Sequence, residues 1–303
     1  SVFLKYGYHD LAQRLHLPRL LGLPTRRLRE QAEAIRELSK PERFRRALEE
    51  LGPTFVKAGQ LLAGRSGLVP PEYTAELSKL QDEVAALSFE TVETVLDAEL
   101  KHPWREVFLE LEREPLGSAS IGQVHRARLH TGEAVVVKVQ RPEIQDKVHA
   151  DLDILHRFAV LLEHQVEEVR VLRPVALVEQ LRRDLTRELD YRVEAGNLRR
   201  FAEQFRGEPG LHVPQAFAEH STSRLLVMEL ISGQKLSDFA ATEPHGPRRQ
   251  WVAEAIADLV MKQIFVHGFF HADPHPGNLM ILPGPTVCFL DFGMMGFLSR
   301  EGR

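Results

Sequence analysis

The chain has 303 residues, of which 43% are hydrophobic and 27% are charged, and its formal net charge is -4. This composition can bury a full core in two lobes or domains, and the negative net charge provides no overall field that would attract nucleic acid. The single cysteine, Cys288, excludes a disulfide framework and is typical of a reducing compartment. No uninterrupted run of eighteen apolar residues occurs, so no segment is predicted to span a membrane.

The first fifty residues are basic, with eleven Lys or Arg against seven Asp or Glu. A basic amphipathic segment of this kind favours an anionic membrane surface, and we predict that role for residues Arg14 to Arg46. A solvated helix face explains the same charges, so this alternative stays open.

A helical pattern runs from Leu11 to about Leu100, with apolar residues at spacings of three and four, and it predicts an all-α extension. From Pro115 to Gln140 the pattern changes to β residues on either side of a turn at His130–Glu133, which predicts a hairpin.

The rest of the chain alternates between helical and strand patterns. Helices are predicted over residues 143–165 and 174–206, and a second hairpin over residues 211–231 around the turn at 220–223. Residues 237–239 and 251–266 are again helical, and a short apolar strand, Val287 to Leu290, follows.

Two motifs near the end of the chain have the spacing of a phosphoryl-transfer site. His271 to Asn278 reads His-Ala-Asp-Pro-His-Pro-Gly-Asn, and Asp291–Gly293 follows the apolar strand. In a kinase, one Asp orients the nucleophile while an Asn and a second Asp hold the metal ions. We therefore predict that Asp273 is catalytic and that Asn278 and Asp291 bind Mg²⁺ or Mn²⁺.

Lys138 ends the second strand of the first predicted hairpin, where a kinase requires a cation on the α- and β-phosphates of ATP. A buried lysine needs an anionic partner. Glu188, in the following helical stretch, is the preferred partner, and Glu194 is the second choice. We assign Lys138 and Glu188, together with Asp273, to the catalytic set.

The predicted strand from Leu226 to Leu230 would form the adenine side of the site. Met228 is expected to lie behind the adenine, and the backbone from Glu229 to Ile231 is expected to supply the hinge hydrogen bonds.

The expected phosphate loop departs from the Gly-x-Gly-x-x-Gly pattern of kinases. Gly117 and Gly122 are present, but the residues between them stiffen the backbone. The predicted nucleotide-binding residues of this loop and the strand after it are Gly117, Ser118, Ala119, Ser120 and Val124.

Lys57 and Gln60 lie three residues apart on one face of a predicted helix, in a segment that kinases lack. An ordinary amphipathic helix explains this spacing equally well.

These motifs together resemble the UbiB/ADCK family of atypical kinase-like proteins. The resemblance spans nearly the whole chain, and the matching motifs, in chain order, are residues 54–62, 118–125, 137–142, 188–191 with 194–197, and 271–278. Two positions depart from the family pattern. The loop Gly117 to Ser120 replaces Ala-Ala-Ala-Ser, and Val136 stands beside the adenine where Ala is usual.

The resemblance implies an α+β, protein-kinase-like fold with an N-terminal all-α extension and a truncated C-terminal lobe. The corresponding domains are the extension (1–105), an N-lobe with inserted helices (106–231) and the start of the C-lobe (232–303). The resemblance also implies that Lys57 and Gln60 are gate residues that exclude protein substrates. It implies that Glu188 and Asp190 form an acidic motif that holds Lys138 and Lys57.

The resemblance also implies function. It predicts ATP with Mg²⁺ or Mn²⁺ as cofactors, and ATPase or kinase activity on a prenyl-quinone precursor or another lipid-like small molecule. Family members support ubiquinone or related prenyl-quinone synthesis, which predicts quinone-biosynthesis proteins as partners. The expected location is the cytoplasm or the cytoplasmic face of a membrane. Many members carry carboxyl-terminal membrane helices, and a chain that ends ten residues after Gly293 is expected to be a fragment.

Other classes of function compete with this interpretation. A nucleotide-gated binding module could use ATP only to change shape, although such a module has no need of Asp273. A small-molecule kinase of the aminoglycoside type shares the catalytic-loop spacing but lacks the helical extension. His267, His271 and His275 recur every four residues, but Gly268 and the neighbouring prolines exclude the helix that would align them on zinc.

Overall fold

The computed structural model describes residues 2–6, 38–64, 68–80, 84–284 and 286–302. The chain divides into two compact units. One contains residues 1–84, 119–121 and 142–186, and the other contains residues 85–118, 122–141 and 187–303. The division into three domains stays a prediction.

The helices and strands are numbered separately in chain order. The helices are α1 (Val2–Lys5), α2 (Lys40–Leu51), α3 (Pro53–Ala63), α4 (Pro71–Leu77), α5 (Phe89–Glu99), α6 (Trp104–Val107), α7 (Ile144–Gln165), α8 (Pro174–Glu188), α9 (Tyr191–Gln204), α10 (Leu236–Thr242) and α11 (Pro247–Met261). The strands are β1 (Phe108–Leu111), β2 (Gly117–Ser118), β3 (Gly122–Leu129), β4 (Ala134–Gln140), β5 (Leu211–His212), β6 (Leu225–Glu229), β7 (Gln234–Lys235), β8 (Phe269–His271), β9 (Leu279–Leu282), β10 (Thr286–Phe289) and β11 (Met295–Phe297). Among the described residues, no helix combines the length and the apolar content needed to cross a membrane.

The first unit is helical because capping residues and prolines divide an amphipathic sequence. Ser39 caps α2 by accepting a hydrogen bond from the Glu42 backbone N–H, and Gly52, with a φ of 108°, ends the helix and leads into α3. The apolar core of this first unit contains Leu48, Phe55, Val56, Leu77 and Leu80.

Gly59 allows α3 to pack closely in this core. A Cβ atom at this position would lie 2.5 Å from Leu80 Cδ1 and 2.8 Å from Leu48 Cδ1. The glycine between Lys57 and Gln60 is therefore required by helix packing.

The basic segment predicted to meet a membrane lies mostly outside the described residues. In its described part, Arg45 pairs with Glu49 and Glu76 at 2.6 and 3.0 Å, and Arg46 pairs with Glu42 at 2.9 Å. Membrane binding by Arg14 to Arg46 stays a prediction.

The second unit contains an antiparallel sheet with strand order β1-β3-β4-β6, in which β2 also pairs with β3. The predicted hairpin is confirmed as β3 and β4, with His125 opposite Val137 and Val124 opposite Lys138. Helix α5 contributes to the same apolar cluster as the buried side chains of β4 and β6. Strand β1, which the sequence pattern did not predict, pairs with β3 at the edge.

The second predicted hairpin, residues 211–231, is confirmed only in part. Strand β5 pairs with β10 in a parallel arrangement, in the sheet β5-β10-β9-β7, while β6 belongs to the first sheet. Residues 215–217 still pair with residues 227–229, through the antiparallel bridge between Ala216 and Met228 and through backbone hydrogen bonds from Phe217 to Val227 and from Glu229 to Gln215. The pairing of β5 with a strand about 75 residues later depends on tertiary contacts that local alternation does not encode.

The predicted helix over residues 174–206 is two helices. It breaks at Leu189 and Asp190, where Asp190 takes an extended backbone and caps α9 by accepting a hydrogen bond from the Arg192 backbone N–H. The capping hydrogen bond of Asp190 starts a new helix here, although the continuous apolar spacing predicted one uninterrupted helix.

Candidate active site

Lys138 lies at the centre of a charged cluster in which Glu194 is buried, Lys138 is mostly buried and Asp291 is half exposed. Strand β4 carries its ammonium group to 2.5 Å from Glu194 Oε1 and 3.6 Å from Asp291 Oδ2. Glu194 is in α9, and its Oε1 also accepts a 3.4 Å hydrogen bond from the Phe292 backbone N–H. This carboxylate therefore links the sheet to the segment that carries Asp291.

The opposite charges of Lys138 and Glu194 stabilise each other. Burial alone would lower the pKa of Lys138, but the carboxylates of Asp291 and Glu194 outweigh it and raise that pKa above its usual value. Burial favours the neutral form of Glu194, yet an ammonium at 2.5 Å favours its charged form. We take the ion pair as the stable state, because it satisfies both groups without water.

The preferred partner of Lys138 in the sequence interpretation, Glu188, is wrong. Glu188 is the last residue of α8, whereas Glu194 lies within α9 after the break and is buried with its side chain on Lys138. The helix break at Leu189 and Asp190 lies between the two glutamates. The partner of Lys138 is therefore the second choice, Glu194.

His271 holds the catalytic loop against the Asp291 segment. Its Nε2 donates to the Asp291 backbone carbonyl, and its Nδ1 accepts from the Asp273 backbone N–H at 3.3 Å. The His271 backbone N–H in turn donates to Gln263 Oε1 at 2.8 Å. Burial lowers the pKa of His271, which favours the neutral ring that this pattern requires. His271 thus has a structural role in the catalytic loop.

Asn278 is in direct contact with Asp273. Its amide Nδ2 donates to the Asp273 backbone carbonyl at 3.2 Å and to Asp273 Oδ2 at 3.3 Å. The Leu290 backbone N–H donates to the Asn278 carbonyl at 2.9 Å, so the loop is joined to the residue that precedes Asp291. The structure therefore places the side chains of the three polar motif residues on adjoining, hydrogen-bonded segments.

The oxygen donors of this site fit magnesium. Because Nδ2 of Asn278 is used on Asp273, its Oδ1 is the atom available as a ligand, and Asp291 adds a carboxylate. Among the described residues, no group of three or more His, Cys, Asp or Glu is arranged to hold a metal. Mg²⁺ bound with a nucleotide needs only one or two carboxylates, because phosphates and water complete its shell.

The predicted adenine side is formed by β4 and β6. Val136 lies opposite Met228 and packs with it against the same apolar cluster, and Val124 lies opposite Lys138 on β3. Two of the three backbone N–H groups predicted to bind at the hinge are already used in the protein. The Glu229 N–H donates to the Gln215 carbonyl, and the Leu230 N–H donates to the Ala134 carbonyl. Within the described part of the chain, the Ile231 N–H has no partner and is the donor that remains.

The predicted phosphate loop begins in β2, where Gly117 lies opposite Val124 and Ser118 opposite Gln123. Ser118 Oγ accepts a hydrogen bond from Arg141 at 2.8 Å. Ala119 and Ser120 fall in the first unit, so their contribution to nucleotide binding stays a prediction.

Close packing alone requires a glycine at position 122. A Cβ atom there would lie 2.5 Å from both Tyr191 Oη and the Val139 carbonyl oxygen, whereas nothing lies within 4 Å of a Cβ at Gly117. Gly122→Ala should therefore destabilise the protein by about 1–3 kcal/mol, the usual cost of overpacking, as measured by denaturant unfolding. Gly117→Ala is the matched control, and equal stability of the two variants would contradict this account.

The predicted gate residues have local partners within their own units. Gln60 donates to the Leu80 carbonyl at 3.3 Å, and Asp190 caps α9 and forms an ion pair with Arg192 at 2.8 Å. Lys57 is half-buried on α3 in the first unit, and Glu188 belongs to the second. A salt bridge from Lys57 to Glu188 or Asp190 stays a prediction.

Two further polar residues of the site were given no role in the sequence analysis, although Asn197 belongs to one of the matching motifs. Asn197 donates from Nδ2 to the Phe292 carbonyl at 2.8 Å, and Gln263 lies in a π-helical turn, Lys262–His267, below His271. The sequence contains a signal for Asn197, because this residue lies three positions after Glu194 and so on the same face of α9. A π-helical turn gives no comparable pattern.

Comparison with known proteins agrees with this geometry. Residues 79–303 match the model of the ABC1 atypical kinase-like domain. The chain is 36% identical over its full length to the "Probable protein kinase UbiB" of Aliivibrio fischeri, and 36% identical to the protein of that name in Aeromonas hydrophila. An uncharacterized protein of Synechocystis is 41% identical over 91% of the chain.

A solved structure is also similar, the complex of Rv3197 with erythromycin from Mycobacterium tuberculosis. It has a TM-score of 0.62 and 32% identity over 84% of this chain and 64% of that one. The chain spans about half the length of the curated relatives, 57% and 56% of the two UbiB proteins and 46% of the Synechocystis protein. With a kinase-like site and a family model that matches most of its length, the chain belongs to the UbiB/ADCK family of ABC1 atypical kinase-like proteins.

Proposed function

We propose that this protein binds ATP with Mg²⁺ or Mn²⁺ and acts as an atypical kinase or ATPase. The observation that carries the proposal is the buried Lys138, paired with Glu194 at 2.5 Å and with Asp291 at 3.6 Å. A buried cation between two carboxylates has little value for stability compared with apolar packing, whereas kinases require this arrangement to align phosphates.

Each polar residue then has a distinct task. Lys138 binds the α- and β-phosphates, and Asn278 and Asp291 hold the metal ion, whose charge offsets that of the phosphates. Asp273 orients the attacking hydroxyl group or water and accepts its proton. The amide of Asn278, bound to Asp273 Oδ2 at 3.3 Å, fixes the carboxylate that must do this.

The acceptor that we propose is a small or lipid-like molecule, namely a precursor of ubiquinone or a related prenyl-quinone, with hydrolysis of ATP as the alternative outcome. The UbiB names of the relatives support this assignment. On the same basis we place the full-length protein in the cytoplasm or at the cytoplasmic face of a membrane, beside quinone-biosynthesis proteins.

The direct test of activity is phosphate release from MgATP. The rate should rise when anionic liposomes and phenol-like analogues of the quinone head group are added, since these supply the surface and the acceptor. Nucleotide binding without release under any of these conditions would favour a nucleotide-gated binding module.

Asp291→Asn should weaken the binding of MgADP strongly, by about tenfold or more, because the metal loses a charged ligand. Isothermal titration of the wild type and the variant with MgADP measures this effect. Asp258→Asn, an exposed carboxylate in α11 that pairs with Lys262 at 2.8 Å, is a matched control and should bind as the wild type does. Unchanged affinity in Asp291→Asn would remove this residue from the metal site.

A further inference from the structure

Arg141 connects the predicted phosphate loop to the backbone that precedes α5. It follows directly after β4, three residues beyond Lys138. Its Nη2 donates to Ser118 Oγ at 2.8 Å and to the Ala85 carbonyl at 2.7 Å. One guanidinium nitrogen therefore uses its two hydrogens on two different segments.

The surroundings hold this arginine in place. The preceding residue, Gln140, is buried and donates to the Leu189 carbonyl at 2.9 Å. On the strand beside it, Gln123 lies opposite Ser118 and accepts a 2.8 Å hydrogen bond from the Leu87 backbone N–H. The Gln123 side chain thus also holds the segment before α5 near the strand that pairs with Ser118. The contacts of Arg141 are therefore part of an ordered hydrogen-bond network.

The network extends to a buried histidine. His125 meets the Gln123 amide at 2.7 Å and the Glu112 carbonyl at 2.8 Å. Because Gln123 Nε2 donates to Nε2 of His125 and Nδ1 donates to the Glu112 carbonyl, the hydrogen bonds require a neutral ring, and burial, which lowers the pKa of His125, favours it. This arrangement leaves Gln123 Oε1 free to accept the hydrogen bond from the Leu87 backbone N–H. It thereby fixes the side chain of the β3 residue that lies opposite Ser118.

The contact with Arg141 determines what Ser118 can do. A hydroxyl group that accepts a hydrogen bond from a cation keeps its own hydrogen as a donor, and that hydrogen is polarised by the charge. A phosphate oxygen is the natural acceptor for such a group. Resting on the proposed function, we infer that Arg141 is a positioning residue for the nucleotide, which fixes Ser118 so that its hydroxyl group donates to a phosphate oxygen.

A purely structural role through the Ala85 carbonyl is the alternative. The two roles differ in a double-mutant cycle, because residues that act through one another give effects that do not add. The cycle uses Arg141→Met, Ser118→Ala and the double variant, each titrated with MgADP. Each single change should weaken binding about tenfold, the scale of a hydrogen bond to a charged group, and the double change should weaken it no further.

Two controls complete the design. Arg141→Lys keeps the positive charge and has its N–H donors on a single nitrogen. This variant should therefore recover part of the MgADP affinity that is lost in Arg141→Met. Arg126→Met removes an exposed arginine of β3 and should not change MgADP binding. Thermal unfolding without nucleotide shows whether each variant is folded, and Arg141→Lys takes the place of Arg141→Met in the cycle if Arg141→Met does not fold.

Three results would overturn the assignment. Additive losses in the cycle would mean that Arg141 does not act through Ser118. Wild-type affinity in Ser118→Ala would mean that its hydroxyl group does not bind the phosphates. No MgADP binding by the wild-type protein would contradict the proposed function and this inference with it, whereas the first two results leave the proposed function standing.

Discussion

Glu194→Gln should destabilise the protein by about 3–5 kcal/mol, because it removes one partner of a buried ion pair. Among the described residues, the salt bridge that the Lys138 ammonium would keep is the one with Asp291, 3.6 Å away. The same change removes the anchor of Lys138, so MgADP affinity should also fall. Denaturant unfolding measures the first effect, and titration measures the second.

Glu203→Gln is the matched control for this experiment. Glu203 lies on the same helix, α9, but its side chain is exposed, so its loss should change stability by less than about 0.5 kcal/mol. Glu188→Gln tests the partner preferred from the sequence. If Glu188→Gln lowers stability as much as Glu194→Gln does, Glu194 is not the essential anion of the cluster.

Asp273→Asn should leave nucleotide binding nearly intact while phosphate release falls by about a hundredfold or more. The reason is that the catalytic-loop Asp contacts the nucleophile and not the nucleotide, and a positioned base is worth about that much in rate. Asn at this position keeps the shape that meets the Asn278 amide at 3.3 Å, which limits structural damage. Titration with MgADP and a phosphate-release assay separate the two effects.

Asp146→Asn serves as the control, since Asp146 is an exposed residue in the first turn of α7. It should release phosphate at the wild-type rate. An equal loss of binding and turnover in Asp273→Asn would instead assign Asp273 to the metal ion.

The sequence predicted the parts of the site that depend on short spacings. The catalytic loop, the strand before Asp291 and the hairpin that carries Lys138 are local patterns, and the structure places them as a kinase-like site requires. The hairpin ladder and the catalytic-loop spacing each lie within about twenty residues of chain, which is why they can be predicted from the sequence.

The sequence did not predict the parts that depend on long-range contacts. Choosing Glu194 over Glu188 requires knowledge of the helix break at Asp190, and the pairing of β5 with β10 joins residues about 75 positions apart. Gly122 was interpreted as a phosphate-loop glycine, but the close approach of Tyr191 explains it. In each case a tertiary contact decides between local alternatives of similar energy.

The most direct test of the central claim, that this site binds a nucleotide with a divalent metal, is a crystal structure with ADP and Mn²⁺. Anomalous scattering from manganese locates the ion independently of the rest of the density. We expect the ion between the Asp291 carboxylate and the Asn278 amide oxygen, with the phosphates in contact with Lys138. A manganese peak away from Asp291 and Asn278, or a nucleotide whose phosphates do not meet Lys138, would contradict the account.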